Sequence, residues 1–375
     1  MLRSFVDSFL GKSKNELLVS VDIGTSAIKV MQLDVSGHKP VLMSAGITPT
    51  PAGAFTNHSI VRTKEVGEAI RSVLEANEIT TRRAVTAVPG PCAFTKKISI
   101  AYTDSKDLAN NIGFEASNYI PHSIDAVRLD YQILKTNGKS SMDVLLVAVK
   151  NEIIDSFVAA LNAADLEPAI MDVDYFALDN MFGMSYGNGT KHEAKHGTKG
   201  DDKKVVAIVN IGAKFTSVNI IQNGESLFTG DVGVGGRLYT DALCETLEIK
   251  PKEAENAKMG IASETIDQNL LQETLDRTTE HVASELHRQI GFFWNAAATD
   301  RSIETIYLVG GASQVSGLKE ELASRTGISC VAMDVFQGIE CPDAFDAEYL
   351  SEIGPSMGVC VGLAGRRLGD KRNAC

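Results

Sequence analysis

Two stretches about 190 residues apart constrain this 375-residue chain more than any other feature: "LLVSVDIGTSAIKVMQL" (17–33) and "KVVAIVNIGAKFTSVNII" (204–221). Each is an apolar run interrupted by a short glycine-containing turn and then resumed, the pattern of a β-hairpin. Laid on one another, Asn210 falls on Asp22, Gly212 on Gly24 and Thr216 on Ile28, and the flanking apolar residues match. A repeat at that distance predicts a chain of two similar α/β halves. A hairpin tip needs no carboxylate, yet the first carries Asp22 ahead of Gly24, Thr25 and Ser26. Amides and hydroxyls at such a tip face an anion well, and a carboxylate beside them suits a metal ion. Taken alone, the first stretch reads more readily as an Asx-type turn. Two such tips facing each other across a cleft would grip the phosphates of one nucleotide from both sides.

The rest of the chain alternates strands with helices, the mark of an α/β fold. After the first hairpin come a strand near "KPVLMSAGI", a helix over 63–79 and a strand over 82–90. Residues 94–168 repeat the alternation on a smaller scale, which predicts a compact α+β subdomain inserted into the first half. Residues 184–204, "MSYGNGTKHEAKHGTKGDDKK", are rich in Gly, Lys and Asp and read as an exposed loop. In "IETIYLVGGASQVSGLKEELASRTG" (303–327) a strand leads through Gly310 and Gly311 into a helix, where a ligand can approach the backbone. A last strand–glycine–helix unit, "GPSMGVCVGLAGRR" (354–367), fits close helix packing. The expected boundaries are 17–94 with 169–183 for the first half, 95–168 for the insert, 184–204 for the loop and 205–370 for the second half.

The net charge of -12 argues against nucleic acid or an anionic membrane surface as the main partner, since both reward clustered Lys and Arg. Six cysteines lie scattered without a CxxC pair, as reduced thiols do in a reducing compartment. The longest apolar runs, such as "VLLVAV" (144–149), are too short to span a bilayer, and "MLRSFVDSFLGKSKN" has no signal-peptide core. A cytoplasmic protein is expected. Leu2, Phe5, Val6, Phe9 and Leu10 fall on one face of a short helix, for packing on its own domain or for a partner or membrane.

"VDIGTSAIKV", "VVAIVNIGAKFTSV" and "YLVGGASQVSGL" resemble, in order and spacing, the two phosphate motifs and the adenosine motif of the actin/Hsp70/hexokinase ATPase superfamily. The resemblance implies an actin-like ATPase fold: two ribonuclease H-like halves flanking a nucleotide cleft, with ATP and Mg2+ as ligands. Within it, the insert, "TGDVGVGGRLYTDAL" (229–243) and "SELHRQIGFF" (284–293) are most similar to the PilM family of type IV pilus assembly proteins, relatives of the cell-division protein FtsA. By position, Asp22 and Asn210 would face the metal, with Asp22 orienting its waters. Gly24, Thr25, Ser26 and Lys29 would contact the phosphates, with Gly212, Ala213, Lys214 and Thr216 opposite. Glu255 and Lys258 would hold the adenosine, with Gly310, Gly311 and Ala312 under the base and ribose. On their own, Glu255 and Lys258 read as a surface i,i+3 ion pair.

The superfamily usually has Asp where this chain has Asn210, and Asn serves neither as a charged metal anchor nor as a base for water. Lys214 at the same tip adds positive charge. Binding tolerates these changes better than hydrolysis, so a slow or absent ATPase is expected. PilM-like proteins are cytoplasmic platforms on which the N-terminal cytoplasmic segment of the inner-membrane protein PilN docks near the insert. Other inner-membrane and motor components of the pilus machine are further implied partners, and "GRRLGDKRNAC" offers no apolar face, so membrane association is expected through a partner.

Rival readings fare worse. "HEAKH" (192–196) matches the HExxH of zinc proteases, but its flanks are Gly, Thr, Lys and Asp rather than an apolar helix. His281 and His287 lie on a charged helix face. A sugar kinase would need a catalytic Asp between the halves in a recognisable context, and an Hsp70-type chaperone a substrate domain. An FtsA-like filament protein, a homo-oligomer, is the serious alternative, and pelleting with nucleotide distinguishes it.

Overall fold

The structure is a computed structural model that describes residues 17–138, 140–186, 205–222, 224–261, 265–297 and 302–369. The amphipathic stretch at 2–10, the "HEAKH" motif and most of the 184–204 segment lie outside the described residues.

In chain order the elements are β1 (Val19–Ile23), β2 (Ala27–Asp34), β3 (Val41–Pro49), β4 (Phe55–Thr56), β5 (Ser59–Ile60), α1 (Thr63–Ala76), β6 (Arg83–Val88), β7 (Ala93–Ala101), α2 (Ser105–Ser117), β8 (Val127–Asn137), β9 (Ser141–Lys150), α3 (Asn151–Ala163), β10 (Glu167–Val173) and α4 (Asp174–Ser185). The second half continues with β11 (Val205–Ile211), β12 (Thr216–Gln222), β13 (Glu225–Val232), α5 (Gly236–Leu247), α6 (Pro251–Lys258), α7 (Gln268–Ala297), β14 (Ile303–Val309), α8 (Leu318–Thr326), β15 (Ser329–Ala332), α9 (Ala347–Ile353) and α10 (Gly358–Ala364).

The two large sheets run β10-β6-β1-β2-β3 and β13-β12-β11-β14-β15. In each, an antiparallel three-strand meander is followed by two strands added in parallel. The repeat read from the hairpins is thus a repeat of whole sheets. The central strands read as apolar runs because both faces are covered: Val19 and Val21 in β1 and Ala207, Ile208, Val209 and Ile211 in β11 are fully buried.

Two helices fill the space between the sheets. All seven residues of α10 are buried, and α4 buries Ala177, Leu178 and Met181. Glycines let them meet: a Cβ on Gly362 would lie 1.8 Å from the Ala177 carbonyl oxygen, and one on Gly358 2.7 Å from a Val309 methyl. The close packing expected at 354–367 is there, but the segment holds no strand; a 3-10 turn (Gly354–Ser356) leads directly into α10.

Three expected boundaries move. The inserted sheet, β7-β9-β8, closes on α2 through Ile98, Leu108, Ile112, Val144 and Leu146 and spans 93–150 rather than 95–168. Helix α3 serves the first half instead: Phe157 and Leu161 are fully buried with Val66 and Ile70 of α1. Met184 and Ser185 end α4 rather than begin a loop. The tail serves both sheets, because Met333, Val335, Leu350 and Met357 share one core with Met31, Leu33 and Leu42 of the first and with Ile208, Ile221 and Val309 of the second. An amphipathic helix shows which face is apolar but not which core it will meet.

Candidate nucleotide cleft

The first hairpin places Asp22 opposite Lys29 across β1 and β2. Lys29 Nζ sits 3.0 Å from Asp22 Oδ2, both side chains largely enclosed. The tip closes when the Gly24 amide donates to the Ala27 carbonyl at 3.0 Å. Glycine is required there, since a Cβ would come within 2.9 Å of that oxygen and 3.0 Å of Lys29 Nζ. Thr50 pins the tip from behind: its hydroxyl donates to the Gly24 carbonyl at 2.7 Å and its amide to the Ser26 carbonyl at 2.9 Å. Thr25 is left half-buried and Ser26 exposed.

The second hairpin has the same backbone and different chemistry. Asn210 on β11 pairs with Ser217 on β12, which pairs with Asp231 on β13, so the three side chains share one face. The tip closes by the Gly212 amide donating to the Phe215 carbonyl at 3.0 Å. The Gly212 and Ala213 carbonyls accept from the amides of Gly236 and Arg237 at 2.9 and 2.8 Å, the orphan donors at the start of α5. Lys214 and Phe215 stay exposed. Thr216 departs from expectation: it is fully buried and its hydroxyl donates to the Val234 carbonyl at 2.8 Å, so it braces the glycine-rich segment rather than facing the cleft.

The third glycine turn presses on the second hairpin. Gly310 has φ +95°, and a Cβ on it would lie 2.5 Å from the Ile211 carbonyl oxygen and 2.6 Å from Asn210 Oδ1. The glycine pair does not open an α-helix. Gly311–Gln314 form a 3-10 turn, and α8 begins only at Leu318, after Gly317 at φ +80°.

The ion pair of α6 reaches inward from the surface, with Glu255 half exposed and Lys258 enclosed. Lys258 is only 6% exposed. Its ammonium donates to Glu255 Oε2 at 2.6 Å, to the Thr240 hydroxyl at 3.1 Å and to the Gly236 carbonyl at 3.3 Å. Thr240 in turn donates to Glu255 Oε1. Ala312 closes this corner, 2.8 Å from where a Gly236 Cβ would stand. Glu255, Lys258 and Ala312 therefore meet at one wall, while Gly236 and Thr240, not singled out from the sequence, complete it. The signal was the Gly-Gly followed four residues later by a hydroxyl on the same helical face.

Two further carboxylates were also missed. Asp174 opens α4 and Asp231 ends β13, and each places its Oδ1 3.1 Å from where a Gly90 Cβ would lie. Asp174 Oδ1 is out of reach of solvent and has no hydrogen-bond partner, as is Ser217 Oγ. Burial, and then the Asp231 charge, pushes the Asp174 carboxyl up to about 7; burial pushes Asp231 up to about 6. Cys92 beside them rises to about 12 by burial and by both charges. Asp174 follows directly on β10 and Asp231 lies one residue from the end of β13, positions that a sequence pattern alone does not distinguish from a turn.

Among the described residues no three His, Cys, Asp or Glu side chains are disposed to hold a metal ion together. The donor set fits magnesium, which keeps most of its waters and takes one or two carboxylates together with phosphate oxygens. The Lys29 ammonium at the first tip and the exposed Lys214 at the second offer positive charge that suits a polyphosphate. Among the described residues no helix is long and apolar enough to cross a membrane, and His281 and His287 are exposed on α7 as expected.

A structure titled as the PilM–PilN type IV pilus biogenesis complex superposes on this chain with a TM-score of 0.79 at 23% identity, covering 93% of this chain and 98% of the other. The ethanolamine utilization protein EutJ of Carboxydothermus hydrogenoformans superposes with a TM-score of 0.53 at 15% identity, over 96% of this chain and 93% of its own. The fold is that of the actin-like ATPases. The sequence model of the family described as type IV pilus assembly protein PilM matches residues 20–368, and with the doubled sheets, the insert and the glycine-tipped cleft in agreement, this chain belongs to the PilM family.

Proposed function

We propose that this chain is a cytoplasmic, ATP-binding scaffold of the type IV pilus machinery that docks the N-terminal cytoplasmic segment of a PilN-like membrane protein and turns ATP over slowly or not at all. Two observations carry the nucleotide reading: Lys258 is buried beside Gly236 and Ala312 in the second half, and the first half encloses the Asp22–Lys29 pair beneath a glycine tip. A buried cation on one wall and a cation under a glycine tip on the other suit a ribose at one end and phosphates at the other.

In that reading Lys29 offers a point charge to the phosphates and the amides and hydroxyls at 24–26 donate to them. Magnesium, when bound, would neutralise the phosphates, with Asp22 orienting its waters. Asn210, held against Gly310, carries no charge for the metal and takes no proton from water, which supports slow hydrolysis.

For docking, a pocket of about 420 Å3 lies where the insert joins the first half, lined by His122, Ser123, Ala126, Lys150, Asn151 and Glu152. Asn151 Nδ2 donates to the Asp125 carbonyl at 2.8 Å, but its Oδ1 is buried without a partner, an acceptor for a peptide amide. Peripheral attachment to the inner membrane through that partner follows.

The test is calorimetry of ATP with magnesium on the wild type and on Asp22→Ala, with phosphate release followed in parallel, and anisotropy of a labelled PilN N-terminal peptide. Tight ATP binding lost in the variant, little phosphate release and peptide binding weakened by Asn151→Ala are expected. Brisk turnover by the wild type would overturn the reading of Asn210.

A further inference from the structure

One segment of the first half touches both hairpin tips. Residues 50–61 begin at Thr50, which bonds the carbonyls of Gly24 and Ser26 behind the first tip. They then form the small β4–β5 pair, with Phe55 opposite Ile60 and Thr56 opposite Ser59. The turn of that pair puts Asn57 at φ 46° and His58 at φ 68°, two left-handed residues in succession, as two-residue hairpin turns demand. This presents the His58 ring outward. It packs on Phe215, at the tip of the second hairpin, with ring centroids 4.9 Å apart and planes tilted by 36°.

The strap is anchored well at its base. Phe55 packs edge-on against Phe157 of α3 at 6.3 Å, and the Ile60 amide donates to the Ser156 hydroxyl at 3.1 Å. Phe215 is 37% exposed and meets the first half through this ring contact at the phosphate end of the cleft. Burial, and then the charge of Lys214, disfavours a protonated imidazole at His58.

We propose that this strap makes the cleft discriminate a nucleoside triphosphate from a diphosphate, by fixing the separation of the two tips where a terminal phosphate would lie. The inference rests on the nucleotide reading above. A terminal phosphate needs both tips at once, whereas a diphosphate anchored at the Lys258 wall needs the second tip less. Energy stored in the His58–Phe215 contact is therefore felt by the triphosphate alone. His58 and Phe215 act as positioning residues and touch no phosphate themselves.

The test uses the full chain with magnesium and two probes, ADP and the β,γ-imido analogue of ATP, measured by calorimetry. His58→Asn keeps the left-handed preference and removes the ring; Phe215→Ala removes the other ring, and Phe215→Tyr keeps it. His58→Asn and Phe215→Ala should each weaken the ATP analogue roughly three- to ten-fold, the size of one ring–ring contact, and leave ADP unchanged. Phe215→Tyr should retain wild-type discrimination. The double variant should lose no more than either single one. Equal losses for both nucleotides, or no loss, overturn the inference while leaving the nucleotide reading intact. A wild type that binds neither nucleotide overturns the nucleotide reading and the discrimination with it. Hydrogen exchange in the ligand-free protein tests the strap apart from any nucleotide: faster exchange at 212–216 in His58→Asn is expected, and unchanged exchange overturns the strap whatever the nucleotide binding shows.

Discussion

The two hairpin tips share a backbone and differ in where they keep their charge. In the first, the cation is Lys29, inside the strand and paired with Asp22. In the second, the position in register with Asn210 is the neutral Ser217, and the cation, Lys214, stands exposed at the tip. The duplicated fold fixes the glycines and leaves the register positions free to diverge. One half can then hold a charged anchor for a ligand while the other offers backbone and surface charge.

The contrast breaks most sharply at Asp22. Asp22→Ala should lower ATP affinity at least a hundred-fold, whereas Asn210→Ala should change it less than about five-fold, since a charge-assisted contact is lost only in the first. Asp22→Ala also strands Lys29 and should melt earlier, by up to about 3 kcal/mol. Adding Lys29→Met should recover the melting temperature but not the binding, which separates the fold from the site. Next in size, Lys258→Met keeps the length of a buried side chain and removes its charge, and should weaken ATP roughly ten- to a hundred-fold in calorimetry. A loss below three-fold would mean that the Glu255–Lys258 wall is structural.

These contrasts also mark what the sequence makes legible. Alternating apolar residues around a glycine identified both hairpins, and their spacing identified the doubled sheets, because period-2 patterns report burial directly. The insert was visible as a second, smaller alternation. Its far boundary was not, since α3 has an apolar face that suits either core. Thr216 was placed in the cleft by its motif, but a hydroxyl on β12 finds the nearer acceptor at Val234. Asp174 and Asp231 lie 57 residues apart in sequence and meet only through the fold.

The Asp174–Asp231 carboxyl pair makes stability depend on pH. The folded Asp231 carboxyl, at about 6, lies above the ordinary value of 3.8, so the folded protein binds more protons than the unfolded one across that window. Stability therefore falls as pH rises from about 4 towards 7, where Asp174 also ionises. Asp231→Asn cannot ionise. It should melt nearer to the wild type at pH 5 and above it at pH 8, by a gain of up to about 3 kcal/mol, and the slope of melting temperature against pH should flatten. An unchanged slope would mean that Asp231 is solvated.

The smallest expected effect tests how each tip is held. The first tip is held partly by a side chain, the Thr50 hydroxyl on the Gly24 carbonyl, beside the Thr50 amide on the Ser26 carbonyl. The second hangs on backbone amides of Gly236 and Arg237, which no side-chain substitution deletes. Thr50→Val keeps the shape and removes one hydrogen bond, a change of about 1 kcal/mol. It should loosen the first tip enough to weaken ATP a few-fold while the melting temperature moves by a few degrees at most. An equivalent loosening of the second tip has to come through packing: a Cβ on Gly235 would lie 2.6 Å from the Gly212 carbonyl oxygen, so Gly235→Ala must displace the tip itself. If Thr50→Val leaves ATP binding unchanged while Gly235→Ala weakens it, the second tip alone sets the phosphate grip, and the division of labour between the halves is the reverse of the one their charges suggest.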